Sequence, residues 1–402
     1  MRRMTSVSIA LVLVTGSSTA SAQAKSDSTP WYRKAHSWSV NEENDAFTPI
    51  GSDRDYTQGV QIIWNYSTWD PDWNRYFSYA SLLFVTKHFL PNVDKVVECQ
   101  KPDSSSDGGC GSIFFGLEQT IYTPPDLLIP DLQPQQRPYA GYLAAGFGMT
   151  ARYAHGLVTS QVLVGTTGPH SGAKQIQSLA HWTWSHKRSQ PQGWSHQLGN
   201  AWQVALVNQY SWRLPNRWME HCASGCNGTR DERRTYDLTP RIGLDLGTPM
   251  TRASAGGVVR LGYGFPSQFN PDRIPISFIP NSSPPDSSRE NDNMSCSFCR
   301  AIASIKPWGM IFGTVDGRAI AWNQLVSGTY ADHGPDGWSS IKQIDTNHLG
   351  WEASYGFAVG ANFATLVFQQ AIRGAEYHPN GGTHRYKSIT VTVHSAGSAV
   401  RP

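Results

Sequence analysis

Polar and apolar side chains alternate in stretches of roughly ten residues along most of the chain. From residue 201 to 212 one set of alternate positions reads Trp202, Val204, Leu206, Tyr210 and Trp212, broken only by Asn208. The other set reads Ala201, Gln203, Ala205, Val207, Gln209 and Ser211. A period of two is strand geometry, because successive side chains of a strand point to opposite faces. The alternation recurs at Val60, Ile62, Trp64 and Tyr66, and at Ile242, Leu244 and Leu246 opposite Arg241, Gly243 and Asp245. It recurs again at Val259, Leu261, Tyr263 and Phe265 opposite Arg260, and at Ile389, Val391 and Val393 opposite Ser388, Thr390 and Thr392. About twelve such segments, each with one apolar face, one polar or small face and aromatics near its ends, suit the wall of a transmembrane β-barrel. A soluble β-sandwich shares the alternation; segment length, aromatic content and the export signal described below weigh against it.

One segment breaks the period. From Ser171 to about Lys187, Ala173, Ile176, Ala180 and Trp184 recur at helical spacing, with Leu179 beside them and Ser171 placed to cap the start after Gly168-Pro169. Gln177 and His181 are four apart, so they share a face. Three turn-rich insertions, about 70–110, 215–233 and 268–299, contain all six cysteines. The expected architecture is thus all-β: an antiparallel transmembrane barrel of about twelve strands, one helix (about 171–187) packed inward, and long extracellular loops.

The first 22 residues have a basic start at Arg2 and Arg3, an apolar core from Val7 to Val14, and Ala20-Ser21-Ala22. This is the pattern of a secretory signal peptide, leaving residues 23–402 as one barrel domain. The core of about eight residues is far short of the ~20 needed for a membrane-spanning helix. Export makes disulfides the expected state of the cysteines, paired Cys99–Cys110, Cys222–Cys226 and Cys296–Cys299. The CxxxC and CxxC spacings keep zinc as the alternative. A net charge of +3 gives no reason to expect a nucleic-acid partner.

Candidate chemistry sits in three polar clusters against strands: Glu43-Asn44-Asp45-Ala46-Phe47, Asp53-Arg54-Asp55-Tyr56-Thr57-Gln58-Gly59, and the helix with Gln177 and His181. If the first two clusters end and open neighbouring strands, Asn44, Asp45 and Thr57 face one another across the pair, and a packed helix brings His181 to them. An imidazole beside a carboxylate is a workable general base for water, with amide donors or a divalent cation for the oxyanion. The plainer reading makes Asn44-Asp45 a strand-end turn and His181 an ordinary core histidine. A serine nucleophile is the rival chemistry of a phospholipase. No GxSxG occurs, and Ser171 reads as a cap, with Ser185 and Ser195 near His186 and His196. A noncatalytic outer-membrane barrel is the remaining class.

At these clusters the sequence resembles the outer-membrane lipid A 3′-O-deacylase family. The resemblance rests on the first two clusters, on Arg137-Pro138-Tyr139-Ala140-Gly141-Tyr142-Leu143, and on Gly168-Pro169 followed by Gln177 and His181. Gly193-Trp194 with Gln197-Leu198 and Asn200 adds a fifth match in the same order. It implies a twelve-stranded monomeric barrel in the bacterial outer membrane, with its active site between the wall and an inward helix near the outer leaflet. It also implies lipopolysaccharide as substrate, and ester hydrolysis by a histidine-activated water in the manner of phospholipase A2, assisted by a divalent cation, Ca2+. The matching residues are His181 as base and Asn44, Asp45 and Thr57, with Gln177 orienting and Asp45 the metal ligand. Two departures stand out: Lys187 where some members carry an acidic residue, and no lysine after Ile121-Tyr122-Thr123-Pro124.

Overall fold

A computed structural model describes residues 36–45, 54–68, 111–153, 156–184, 190–212, 214, 236–263, 307–328, 332, 344–361 and 363–395. Its long strands are β1 (His36–Asn44), β2 (Asp55–Thr68), β3 (Gly111–Thr123), β4 (Ala140–Tyr153), β5 (Gly156–Thr167), β6 (Trp202–Trp212), β7 (Tyr236–Gly247), β8 (Met250–Tyr263), β9 (Trp308–Asn323), β11 (Leu349–Gly360), β12 (Ala364–Arg373) and β14 (His384–Ser395). These twelve pair antiparallel, each with its neighbour, and β1 closes on β14 to complete a barrel. A separate two-stranded ribbon joins β10 (Asp345–Thr346) to β13 (Tyr377–His378). No helix among the described residues is long and apolar enough to cross a membrane.

The alternation in the sequence maps onto the two faces of this wall. Trp38, Val40, Ile62, Phe115, Leu117, Phe147, Val162, Val164 and Val204 are exposed on the outside. One outward ladder row runs Trp38, Trp64, Phe115, Phe147 across four strands, with the Trp64 and Phe115 rings stacked at 5.6 Å. An apolar exterior with aromatic rows is what lipid contact requires. The interior is polar and holds a set of ion pairs: Arg260 with Asp237 (2.6 Å), Arg252 with Asp245 (2.5 Å), Arg241 with Asp316, and both Arg318 and Arg373 with Glu352. Pairing is the condition for keeping such groups buried.

Three expectations change. The predicted helix of about 171–187 is the shorter α1 (Ala173–Trp184), preceded by a 3-10 turn, Gly168–Ser171. Gly172, in the left-handed region at φ 70°, separates the two. Nor is α1 inside the barrel. Gln119, whose Nε2 donates to Ser171 O at 2.6 Å, alternates in phase with the exposed Phe115 and Leu117. Gly141, which faces Ser171 and Ala173, alternates in phase with the exposed Leu143 and Phe147. The helix therefore lies on the outer face of β3 and β4.

The third change concerns the cysteine-bearing connections. The leader, all six cysteines with their three pairings, Lys187 and the tail beyond Ser395 lie outside the described residues. The strand ends flanking the insertions are described: Thr68 and Gly111, Trp212 and Tyr236, Tyr263 and Trp308. All six lie at the barrel end that holds His36 and Ser395, whereas α1 follows β5 at the other end. The flanking strand ends and α1 are thus at opposite ends of the barrel, so extracellular cysteine-bearing loops and a helix near the outer leaflet do not both hold.

Candidate active site

The site is assembled where four strands end. Asn44 on β1 pairs with Gln58 on β2, Gln58 with Ile121 on β3, and Ile121 with Gly141 on β4. This outward row spans three strand spacings, about 14 Å. Its β1–β2 half is polar: Gln58 Nε2 donates to Glu42 Oε1 at 2.9 Å, and the Arg54 backbone N–H donates to Asp45 Oδ2 at 2.9 Å. The Asp45 N–H continues the ladder to Thr57 O at 3.2 Å, so Asp45 and Thr57 oppose each other across β1 and β2.

Thr57 is the extra residue of a β-bulge, since the β2–β3 register passes from Tyr56–Tyr122 directly to Gln58–Ile121. Its Oγ1 lies 2.7 Å from Thr123 Oγ1. The bulge lets Tyr56 turn to the interior, where its hydroxyl donates to Glu43 Oε2 at 2.9 Å and its ring meets Tyr122 and Tyr386 at 5.4 and 5.0 Å.

The β3–β4 half is covered by α1. Ala173, Gln177 and His181, four apart, form its buried stripe at 1%, 1% and 7% exposure. Ala173 joins Ile121, Leu127, Tyr139 and Trp194 in an apolar cluster outside the wall. Only glycine fits at Gly141, where an added Cβ would lie 2.4 Å from Ala173 Cβ. Trp194 Nε1 donates to Gln177 Oε1 at 2.9 Å, while Gln177 Nε2 has no hydrogen-bond partner among the described residues. Ser171 is engaged locally, donating to Gly168 O at 2.6 Å and accepting from Ala173 N, while Gly172, one residue later, takes the cap position, its O receiving the first helical bond from Ile176 N.

Behind the wall the mouth of the barrel is braced. Arg137 stacks 4.1 Å over Tyr122, donates to Glu376 at 3.0 Å and to Leu325 O at 3.3 Å, and is fully buried. Burial would raise the Glu376 carboxyl, but the charges of Arg373 and Arg137 outweigh it and hold the group down at about 2. Burial pushes the hydroxyls of Tyr139 and Tyr377 up to about 12.

Sequence reasoning did not single out Thr123, the Glu42–Gln58 pair or Trp194 as site neighbours. Trp194 and Gly141 stand inside matched motifs and Thr123 inside the Ile121-Tyr122-Thr123-Pro124 stretch, which was the available signal; Glu42 carries none, because only the pairing register brings it in.

A closed barrel with an apolar outside, a polar inside crossed by ion pairs, and a helix-covered polar patch on its outer wall defines an outer-membrane protein whose candidate site faces the bilayer side. The family model described as outer membrane protein LpxR matches residues 7–395, and the chain belongs to that family, the lipid A 3′-O-deacylase family its motifs resemble. Among solved structures, LpxR from Salmonella typhimurium superimposes with a TM-score of 0.58 at 15% identity, covering 89% of this chain and 99% of that one. The β domain of the Bordetella autotransporter BrkA aligns over 90% of this chain and 98% of its own at 7% identity, but with a TM-score of 0.34 it adds nothing to the assignment. No curated protein sequence matches the chain.

Proposed function

We propose that this protein is a lipid A deacylase, hydrolysing an ester-linked acyl chain of outer-leaflet lipopolysaccharide, at the 3′-O position by family resemblance, and acting as a monomer. The observation that carries the reading is the burial of Gln177 and His181 under a helix applied to the lipid-facing side of the wall. A site built there meets the substrate in the plane of the bilayer.

In this reading His181 takes a proton from water as the water attacks the ester carbonyl, and returns it to the sugar oxygen as the acyl chain leaves as a fatty acid. Asp45 orients the base or holds the cation, Asn44 and Thr57 position water or the oxyanion, and the buried Gln177 Nε2 is a further donor. Asp45 with the oxygens of Asn44 and Thr57 is an all-oxygen donor set of the kind a hard cation such as Ca2+ takes. Among the described residues no group of three or more His, Cys, Asp or Glu is arranged to hold a metal, so the cation would rest on Asp45 and neutral oxygens. When bound it supplies positive charge for the developing oxyanion. Export by the leader and three local disulfides belong to the same proposal.

Mass spectrometry of lipid A from cells making the wild-type chain should show loss of one acyl group. The His181→Ala variant should be slower by about 10²- to 10⁴-fold while remaining a heat-modifiable barrel. Chelation of divalent cations should depress the wild type, and added calcium restore it. Unaltered lipid A with wild type, or an active His181→Ala, would overturn the assignment; a dead Ser171→Ala barrel would point to the serine chemistry instead.

A further inference from the structure

The inner wall directly behind the seat of α1 carries a buried carboxylate that the interior ion pairs leave out. On β3, Gln119 points outward and holds Ser171 O, so its neighbours Glu118 and Thr120 point inward, each 1% exposed. Tyr142, opposite Thr120 on β4 and next to Gly141, is fully buried on the same inner face, within the field of the Glu118 charge. Gln61 stands opposite Glu118 on β2, its amide close to the carboxylate.

The patch is short of donors. Among the described residues neither oxygen of Glu118 has a hydrogen-bond partner, nor do Thr120 Oγ1 and the Tyr142 hydroxyl. Carboxylates elsewhere in the interior are met: Asp237, Asp245, Asp316 and Glu352 each hold an arginine, and Glu43 accepts from Tyr56. Arg252 is the arginine whose charge reaches Glu118, and its Nε is bound to Asp245 at 2.5 Å. Glu43, in the same field, is a second buried carboxylate. Two negative charges therefore share this part of the interior, and a carboxylate stays buried only where a cation or donors meet it.

We infer that the inner wall holds a divalent cation of the calcium or magnesium kind on Glu118, with Thr120 and Tyr142 as neutral oxygen neighbours. The available donors are all oxygens, without thiolate or imidazole, which is the set a hard cation takes; two nearby carboxylates favour a double charge. This site is separate from the one proposed at Asp45, which belongs to the outer row. Its place gives it a role. The strand segments whose inward side chains surround the ion are those whose outward Gln119 and Gly141 seat the start of α1, so the ion ties β3 to β4 behind the helix. The inference stands on the interior alone and needs no deacylase activity.

The test counts bound metal. The full-length protein is refolded from urea with calcium into detergent free of lipopolysaccharide and desalted. Calcium per chain is then measured by inductively coupled plasma mass spectrometry, with heat-modifiability reporting the fold. Glu118→Gln removes the charge at nearly constant shape. It should hold one calcium fewer than the wild type and lose the rise in unfolding temperature that calcium gives the wild type. Asp45→Ala, altered on the other face of the wall, should keep the interior calcium. If Glu118→Gln does not fold, Thr120→Val in the Asp45→Ala background should weaken the calcium titration several-fold, and an unchanged titration there would overturn the inference. Equal calcium content in wild type and Glu118→Gln would overturn it too; if that variant is also the more stable, the carboxyl is buried with a proton instead. Absence of calcium from Asp45→Ala would be equally fatal. A single wild-type calcium that Asp45→Ala keeps and Glu118→Gln loses would leave the interior site standing and remove the outer-wall cation.

Discussion

Replacing Gly141 with alanine tests the seating of α1 on the outer wall. The added Cβ would lie 2.1 Å from Ser171 Oγ and 2.4 Å from Ala173 Cβ. Carbon atoms in contact need about 3.5–4.0 Å, so the shortfall against Ala173 is between about 1 and 2 Å. Neither neighbour can simply swing away: Ser171 Oγ is held at 2.6 Å by Gly168 O, and Ala173 Cβ is fixed to the first residue of the helix. The start of α1 must lift. Overpacking of this kind costs roughly 1–3 kcal/mol, which a twelve-stranded barrel should survive. A 1 Å misplacement of a catalytic group, by contrast, costs on the order of 10²-fold in rate. Gly141→Ala should therefore stay heat-modifiable and extractable as a folded barrel while its deacylation rate falls about 10- to 100-fold. Gly313→Ala is the control, because its Cβ would meet only Ser354 O at 3.8 Å. Wild-type turnover by Gly141→Ala, or loss of the barrel itself, would show that α1 is not seated as described.

Trp194→Phe keeps an aromatic ring beside Tyr139 but removes the donor to Gln177 Oε1, a loss of about 1 kcal/mol; kcat should drop a few-fold with KM little changed, and an unchanged kcat would mean that this bond does not fix Gln177. Asp237→Ala strands the buried Arg260, and the barrel's resistance to urea should fall by roughly 3–5 kcal/mol, whereas no loss would show that the interior pair is not a structural tie. The Glu376 carboxyl, lowered from 4.5 to about 2, favours the folded state when ionised, so its contribution is complete above pH 4.5, erodes as pH falls and is gone below about 2. Its size is on the order of 3 kcal/mol. Thermal unfolding temperatures measured across that window should fall with pH in the wild type and less steeply in Glu376→Gln; parallel curves would remove Glu376 from the acid response.

The strands were legible because a barrel wall separates lipid from a polar interior at every second residue, and Val204, Gln203 and their neighbours follow that rule in both sequence and structure. The side on which α1 packs was not. A helix with Ala173, Gln177 and His181 on its buried stripe reads identically whether that stripe meets the inner or the outer wall; only the phase of Gln119 and Gly141 within their strands separates the two. The end from which the cysteine-bearing connections leave was open to simple counting, since they follow the second, sixth and eighth strands and every even strand returns to the end where the first began. The bulge at Thr57 had no sequence mark. Asp-Tyr-Thr-Gln-Gly is an unremarkable strand opening until the register shows that Tyr56 and Gln58 pair with consecutive residues of β3.

That bulge links the two sides of the wall. Strict alternation would put Tyr56 on the same face as Gln58; one inserted residue lets Tyr56 point inward while Gln58 stays on the outer row. Inside, Tyr56 is fixed by Glu43, by two aromatic neighbours and by Arg373, whose guanidinium lies 5.2 Å from its ring and also donates to Tyr386 and Glu352. Outside, the same bulge sets Thr57 opposite Asp45 and against Thr123. A site on the lipid side of a single-layer wall has no protein core of its own to hold it. The charge-paired aromatic brace in the mouth supplies that support from behind, which accounts for costly buried arginines standing beside residues that do no chemistry themselves.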